Sequence, residues 1–371
     1  MELGRRFGVV VLASAVLLVV TVHTDAHKPV TSKYDYNRDV FPLLRDHCGS
    51  CHVEGGPAPM SLMTYKNAMP WAEAIRDEIT SGRMPPWPVD ATSPSVKAGH
   101  AITSREINMI VVWASGGTPQ GNADVDPPAV TFSPQWKVGP PDLKISMDAE
   151  HTIPPENMEE VREFSLATNL TDTKWVKAAD LMPGTASIVR DAIISIENGP
   201  VLALWQPGSE TTAAPAGAAF RLAPGSKIHL QIHYKKNFNQ EQSAVSDRST
   251  VGLYFTDPPP SGRELRSFTI DPPKGSNVAG PAQIVAIRPM LDRAYASLRI
   301  EAVTPAGMHV PLLALHGPRP QWFRRYWLQE PVTLASGSEI VVSVTPLSDY
   351  SDEPKLTPRF LLQVSLDYVA Q

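Results

Sequence analysis

Cys48-Gly49-Ser50-Cys51-His52 is the segment of this chain best equipped for chemistry. Its spacing is C-x-x-C-H, the haem attachment pattern. On one helical turn two thiols so spaced can form thioethers with the two vinyl groups of a single haem, while the adjacent histidine turns its ring toward the iron. A thioredoxin-like dithiol would call for a βαβ context, and a zinc site for more ligands than two cysteines supply. The chain has only these two cysteines, so no disulfide framework holds it together. The pattern predicts one covalent haem c per chain, with Cys48 and Cys51 as attachment points and His52 as an axial iron ligand.

The sixth ligand must come from elsewhere, and Met60, Met63, Met69, Met84 and Met109 are the candidates. Met84 opens Met84-Pro85-Pro86-Trp87, where two prolines hold the chain extended and stop the preceding helix from absorbing the methionine. It lies 32 residues past His52, enough chain to circle a haem edge. Met84 is the expected second axial ligand; core packing is the ordinary alternative for any one methionine.

The elements that would position these residues follow from pattern. Apolar spacing near 3.6 marks helices over 39–47 and 68–80, and Thr103-Ser104-Arg105-Glu106 looks like a capping box opening a helix over 107–114 that Gly116-Gly117 stops. Residues 118–141 are rich in Pro, Gly and Asp without periodicity and read as a linker. Beyond them, short β-branched or alternating runs at 164–166, 192–196, 227–234, 250–255, 297–303, 339–344 and 360–368 predict an antiparallel β architecture, with a seam at Asp257-Pro258-Pro259-Pro260. Proline, 37 of 371 residues against a usual share of roughly 5%, fits loops and strand edges and excludes long helices.

Arg5 and Arg6, an apolar run from Phe7 to Val22 and the small-residue exit at Ala26 read as a secretory signal over 1–26. The run is short of the roughly 20 residues that span a bilayer, so membrane attachment would require the segment to stay uncleaved. Cleavage would leave His27 at the terminus. The expected location is periplasmic or extracellular. A formal net charge of −5 with no basic stretch excludes nucleic acid as an expected partner.

Tyr36-Asn37, Asp39-Val40-Phe41-Pro42, the haem motif, Gly56, Ala58-Pro59, Ser61-Leu62, Tyr65, Pro70-Trp71 and Met84-Pro85-Pro86-Trp87 together resemble the c-type cytochrome domain fused, in secreted bacterial proteins, to a copper type II, ascorbate-dependent monooxygenase-like module. That module is similar to peptidylglycine hydroxylating and dopamine β-monooxygenases. The resemblance continues through Pro141-Asp142-Leu143, Trp175-Val176, Pro183-Gly184, Gly225-Ser226, Gln231-Ile232-His233-Tyr234 and the strand from Asp247-Arg248 to Phe255. It implies a multidomain fold: a small all-α cytochrome c domain over 27–120, a linker over 121–140, and two tandem antiparallel, jelly-roll-like β-sandwiches over 141–257 and 258–371.

The copper ligands of that family are largely replaced. Where a His-His pair would follow Pro183-Gly184, the chain has Arg190 and Asp191; of this site only His233 remains. The second site's His-x-His falls on Met290 and Asp292, and Met308 with His309 occupies a Gly-containing turn. One imidazole beside a guanidinium is a poor copper site, and copper is not an expected cofactor. His229 and His233, four apart in a strand, would share a face roughly 13 Å apart, too far for one metal. His151, His309 and His316 read as structural or surface residues. A salt bridge from Arg190 to Asp191 or Asp292 is a structural use for the vacated pocket.

The expectation is a monohaem electron-transfer protein whose β region serves as scaffold or docking surface for a redox partner protein or an envelope complex; no small-molecule substrate follows from the sequence. Two alternatives stand beside it: a haem-fed copper monooxygenase using His233 with Asp191, and a structural subunit of a larger redox complex.

Overall fold

The computed structural model describes residues 31–370 apart from 57, 87–88, 91, 98–101, 125–126, 131–134, 209–210, 261–262, 273–274 and 348–357. The signal segment, His27 and Trp87 lie outside the described residues. Short helices come first: a π-helical turn Tyr36–Val40 running into the helix Phe41–Cys48, then Tyr65–Ala68, Ala72–Thr80 and Ser104–Ser115. Thr103 and Glu106 form the reciprocal capping box that the sequence announces.

Strands follow in chain order. They are β1 (Leu143–Ser146), β2 (His151–Ile153), β3 (Glu159–Ala167), β4 (Lys174–Met182), β5 (Val189–Ile196), β6 (Val201–Trp205), β7 (Phe220–Leu222), β8 (Lys227–Lys235), β9 (Val245–Asp247) and β10 (Thr250–Thr256). A second series comprises β11 (Arg266–Ile270), β12 (Ser276–Asn277), β13 (Ala282–Met290), β14 (Tyr295–Val303), β15 (His309–His316), β16 (Tyr326–Leu334), β17 (Glu339–Pro346) and β18 (Gln363–Ala370). They assemble into four small antiparallel sheets, ordered β1-β10-β4-β7, β3-β8-β5-β6, β11-β18-β13-β16 and β12-β17-β14-β15, with β2 and β9 as a separate pair.

The expected small all-α cytochrome domain ahead of two sandwiches is not what the chain forms. Strands take 39% of the protein and helices 15%, so the fold is mostly β. The helices are too short and too widely interrupted for an all-α domain, and the segment between the last two is drawn onto the sheets. Val89 bridges to Leu315 and Val96 to Leu328, while Asp90 N–H donates to Ala314 O and Lys97 N–H to Trp327 O. Pro85, Pro86 and Pro94 bar helix here, and an extended strap satisfies its backbone against sheet edges instead.

Apolar clusters cross these groups. The cluster built on Leu181, Ile194, Leu230, Ile232 and Leu253 also takes in Val285, Ala286, Trp327 and Val369 from the second series of strands. The helices gather separately around Tyr36, Leu44, Ile110 and Trp113. Tyr36 Oη donates to Leu62 O at 2.8 Å and Trp113 Nε1 to Pro119 O at 3.1 Å, so the aromatic core also pins the loops on either side of it.

Asp367, fully buried, joins the two series. Arg288 Nε reaches it at 3.1 Å and Arg325 Nε at 2.8 Å, and Ser267 Oγ donates to it as well. The Arg325 guanidinium also donates to the carbonyls of Val201 and Leu202 in β6. The two guanidinium groups hold the Asp367 carboxyl below its ordinary value of 3.8 against the burial that would raise it. Asp367→Ala should cost about 3–5 kcal/mol in urea denaturation by leaving two buried cations uncompensated. In the wild type this contribution is complete above the ordinary carboxyl value and falls away as pH drops through the lower folded value, because the unfolded chain takes up the proton first.

Candidate functional site

The haem motif begins where a helix ends. Gly49 caps the helix Phe41–Cys48 with its N–H on Arg45 O, and the next two turns close as Cys51 N–H and His52 N–H both donate to Cys48 O, at 3.1 and 2.8 Å. These bonds curl the backbone of the motif into one short arc. Gly49 is required by close approach: a Cβ there would lie 2.5 Å from Arg45 O and 3.2 Å from Met63 Sδ.

His52 is half-buried, and its Nδ1 lies 3.2 Å from Met60 O. A backbone carbonyl on one ring nitrogen sets the tautomer and leaves Nε2 as the ligand atom. Burial lowers the His52 pKa, with the Met60 contact opposing it, which favours the neutral ring a metal requires. Burial pushes the Cys48 thiol up to about 12 and raises Cys51 too. Such shifts favour the neutral thiol, and thioether formation would likewise leave no charge to desolvate. Cys48, Cys51 and His52 are a donor set that would fit a covalent haem.

Met84 is half-buried just beyond the helix Ala72–Thr80, its N–H donating to Glu78 O. Met60 packs against the helical core through which its own carbonyl holds His52. Met63 is buried over Gly49, Met69 is largely exposed, and Met109 lies half-buried on the helix Ser104–Ser115.

A wall supplied by the β region closes over Cys51. Its Sγ donates to Pro207 O at 3.3 Å, just past the end of β6. Gly208, with φ of +74°, follows so closely that a Cβ would run into Ser50 Oγ and lie 3.0 Å from Cys51 Sγ. Arg190, half-buried in β5, and Lys137 are the cations acting on Cys51. Burial lowers Arg190 below the ordinary guanidinium value, and the charges of Glu159 and Cys51 oppose that fall.

His233 and Asp191 belong to an ion-pair network. His233 Nδ1 lies 2.8 Å from Asp191 Oδ2 and its Nε2 2.8 Å from Glu159 Oε1. Arg359 Nη1 donates to both oxygens of Asp191 and Arg359 Nη2 to Gln231 Oε1, and Lys235 Nζ pairs with Glu159. An imidazole with carboxylates on both nitrogens has no lone pair for a metal unless one bond is broken. The expected bridge from Arg190 to Asp191 or Asp292 is not what forms: Asp191 is taken by Arg359 and His233, Asp292 by Arg293 and Tyr295. His229 lies beside Glu163, His151 beside Glu160 and His309 beside Glu301; His316 is exposed. Met308 is exposed on its turn. Among the described residues no three His, Cys, Asp or Glu side chains converge as a metal site.

No family model matches the chain, and no curated protein matches it. Solved structures give faint likenesses only. The major capsid protein P2 of bacteriophage PM2 aligns over 61% of this chain and 96% of its own at 8% identity, with a TM-score of 0.24. A Paenibacillus xanthan lyase aligns over 67% of this chain and 28% of its own at 12% identity and a TM-score of 0.15. Bacillus subtilis oxalate decarboxylase covers 77% and 87% at 9% identity and a TM-score of 0.13. At such scores none bears on fold or chemistry.

Sequence reasoning placed the motif and missed its wall. Nothing local to Pro207-Gly208 points 156 residues back to Cys51. Gly208→Ala should destabilise by more than the roughly 1–2 kcal/mol of left-handed backbone strain. Gly139→Ala is the matched control, at φ of +87° with nothing within 4 Å of its added Cβ. Chemical denaturation of both variants separates the contact with Ser50 and Cys51 from backbone cost; equal losses would show that the wall is not in contact.

Proposed function

We propose that this chain is an exported, monohaem c-type electron-transfer protein. The observation that carries the proposal is the C-x-x-C-H turn itself, its backbone curled by the Cys51 and His52 N–H groups on Cys48 O and the His52 ring oriented by Met60 O. Bound there, haem supplies a one-electron iron couple. The residues of the chain would hold the group: Cys48 and Cys51 as its covalent anchors, His52 through Nε2 and Met84 as the second iron ligand. A methionine/histidine ligand pair would raise the potential, which suits electron transfer.

The β region then acts as a wall and docking surface for a redox partner protein or envelope complex. Two observations support that role over a copper enzyme. The His233 ring is engaged on both nitrogens, and Asp191 is held by Arg359.

Protein matured in a host that attaches c-type haem should carry one haem per chain, lost in a Cys48→Ala/Cys51→Ala variant, and no stoichiometric copper. Stoichiometric copper with oxygen-dependent turnover of an organic substrate would overturn the proposal. Met84→Ala should let the ferrous form bind carbon monoxide, which the parent protein resists, and should lower the midpoint potential. An unchanged spectrum and potential would assign the sixth position to another residue.

A further inference from the structure

We propose that the Pro207-Gly208 turn is a latch that reads the chemical state of Cys51: it closes on the free thiol and lets go once Sγ carries a carbon. This goes beyond the haem proposal, because it holds for any thioether at that sulfur.

The contact depends on the thiol hydrogen. Cys51 Sγ donates to Pro207 O at 3.3 Å, and a thioether sulfur has no hydrogen to donate. When the thiol adds across an activated double bond, a sulfur–carbon bond replaces the sulfur–hydrogen bond, the double bond becomes single, and the proton goes to the neighbouring carbon. No oxidant or reductant takes part. Sulfur keeps two substituents, so the new carbon takes the hydrogen's place. Left pointing along the old bond, it would overlap the Pro207 carbonyl; turned aside, it leaves that carbonyl without its donor. Either way the contact ends.

The surrounding packing gives the turn no slack. Gly208, at φ of +74°, comes so near that a Cβ there would lie 3.0 Å from Cys51 Sγ and run into Ser50 Oγ. On the other side, Gln206 Nε2 donates to Gln321 O at 2.8 Å, and the Arg325 guanidinium donates to the carbonyls of Val201 and Leu202 at the start of β6. β6 also pairs with β5 through Ile193↔Leu204 and Ala192↔Trp205. The strand is thus fixed as far as Trp205, and Gln206, Pro207 and Gly208 are the part that a substituent on Cys51 would move. Closure of the turn and substitution at Sγ oppose each other, and by linkage each disfavours the other by the same factor.

The test is hydrogen exchange of the full chain in its free-thiol form, with Cys48→Ser leaving Cys51 as the one thiol and N-ethylmaleimide as the probe. Labelling should speed exchange of the amides at 204–208 by about tenfold, the scale of one lost hydrogen bond, and leave those of the helix Ser104–Ser115 unchanged. A change below about twofold at 204–208 would overturn the inference. Cys51→Ser keeps a donor for Pro207 O and should exchange like the unlabelled protein, whereas Cys51→Ala should exchange faster. If the labelled chain unfolds, these two variants decide: faster exchange in Cys51→Ala supports the latch, and equal exchange in both overturns it. Gln206→Ala, which frees the turn from Gln321, should raise the rate at which maleimide labels Cys51; an unchanged rate counts against the latch. Protein matured with haem on Cys51 should exchange at 204–208 like the maleimide adduct. A chain that takes up no covalent haem would overturn the haem proposal alone, since the maleimide result decides the latch.

Discussion

Much of this molecule depends on one buried carboxylate. Asp367 lies between Arg288 and Arg325 with no exposure, and Arg325 spends its remaining donors on the backbone carbonyls of Val201 and Leu202. Gln206 Nε2 adds a bond to Gln321 O at 2.8 Å. β6 is thereby fastened along its length to the second series of strands. Its far end is the Pro207-Gly208 turn, which abuts Cys51. A cluster near the C-terminus thus determines how the wall meets a motif near residue 50. Two cations around one anion are tolerable at depth because carbonyl oxygens and the Ser267 hydroxyl supply the remaining partners.

The same economy of partners governs the half-buried surface of β5 and β8, which must satisfy its own charges. It does so with an alternating chain of opposite signs running Arg359, Asp191, His233, Glu159 and Lys235.

Local features were legible without coordinates. The C-x-x-C-H motif, the capping box at Thr103 and Glu106, the stop at Gly116-Gly117 and the strands at 227–234 and 297–303 all depend on residues within one or two turns of each other. Periodicity and capping chemistry report such short-range physics directly. The helical pattern of 39–115 misled at the next level. It gives the right elements and the wrong domain, because Val89, Asp90, Val96 and Lys97 have no helix to join and pair instead with Leu315, Ala314, Leu328 and Trp327.

The sequence by itself determined which chemically able residues stand together along the chain: two thiols and an imidazole in one C-x-x-C-H run. Only the tertiary structure decided what those residues face. Asp191 takes Arg359 as its partner although they are 168 positions apart, and Cys51 meets Pro207 across 156. Residue spacing encodes contacts along one helix or one strand. Contacts between sheets arise from the registers, twist and buried charges of the whole fold, and no local pattern carries them.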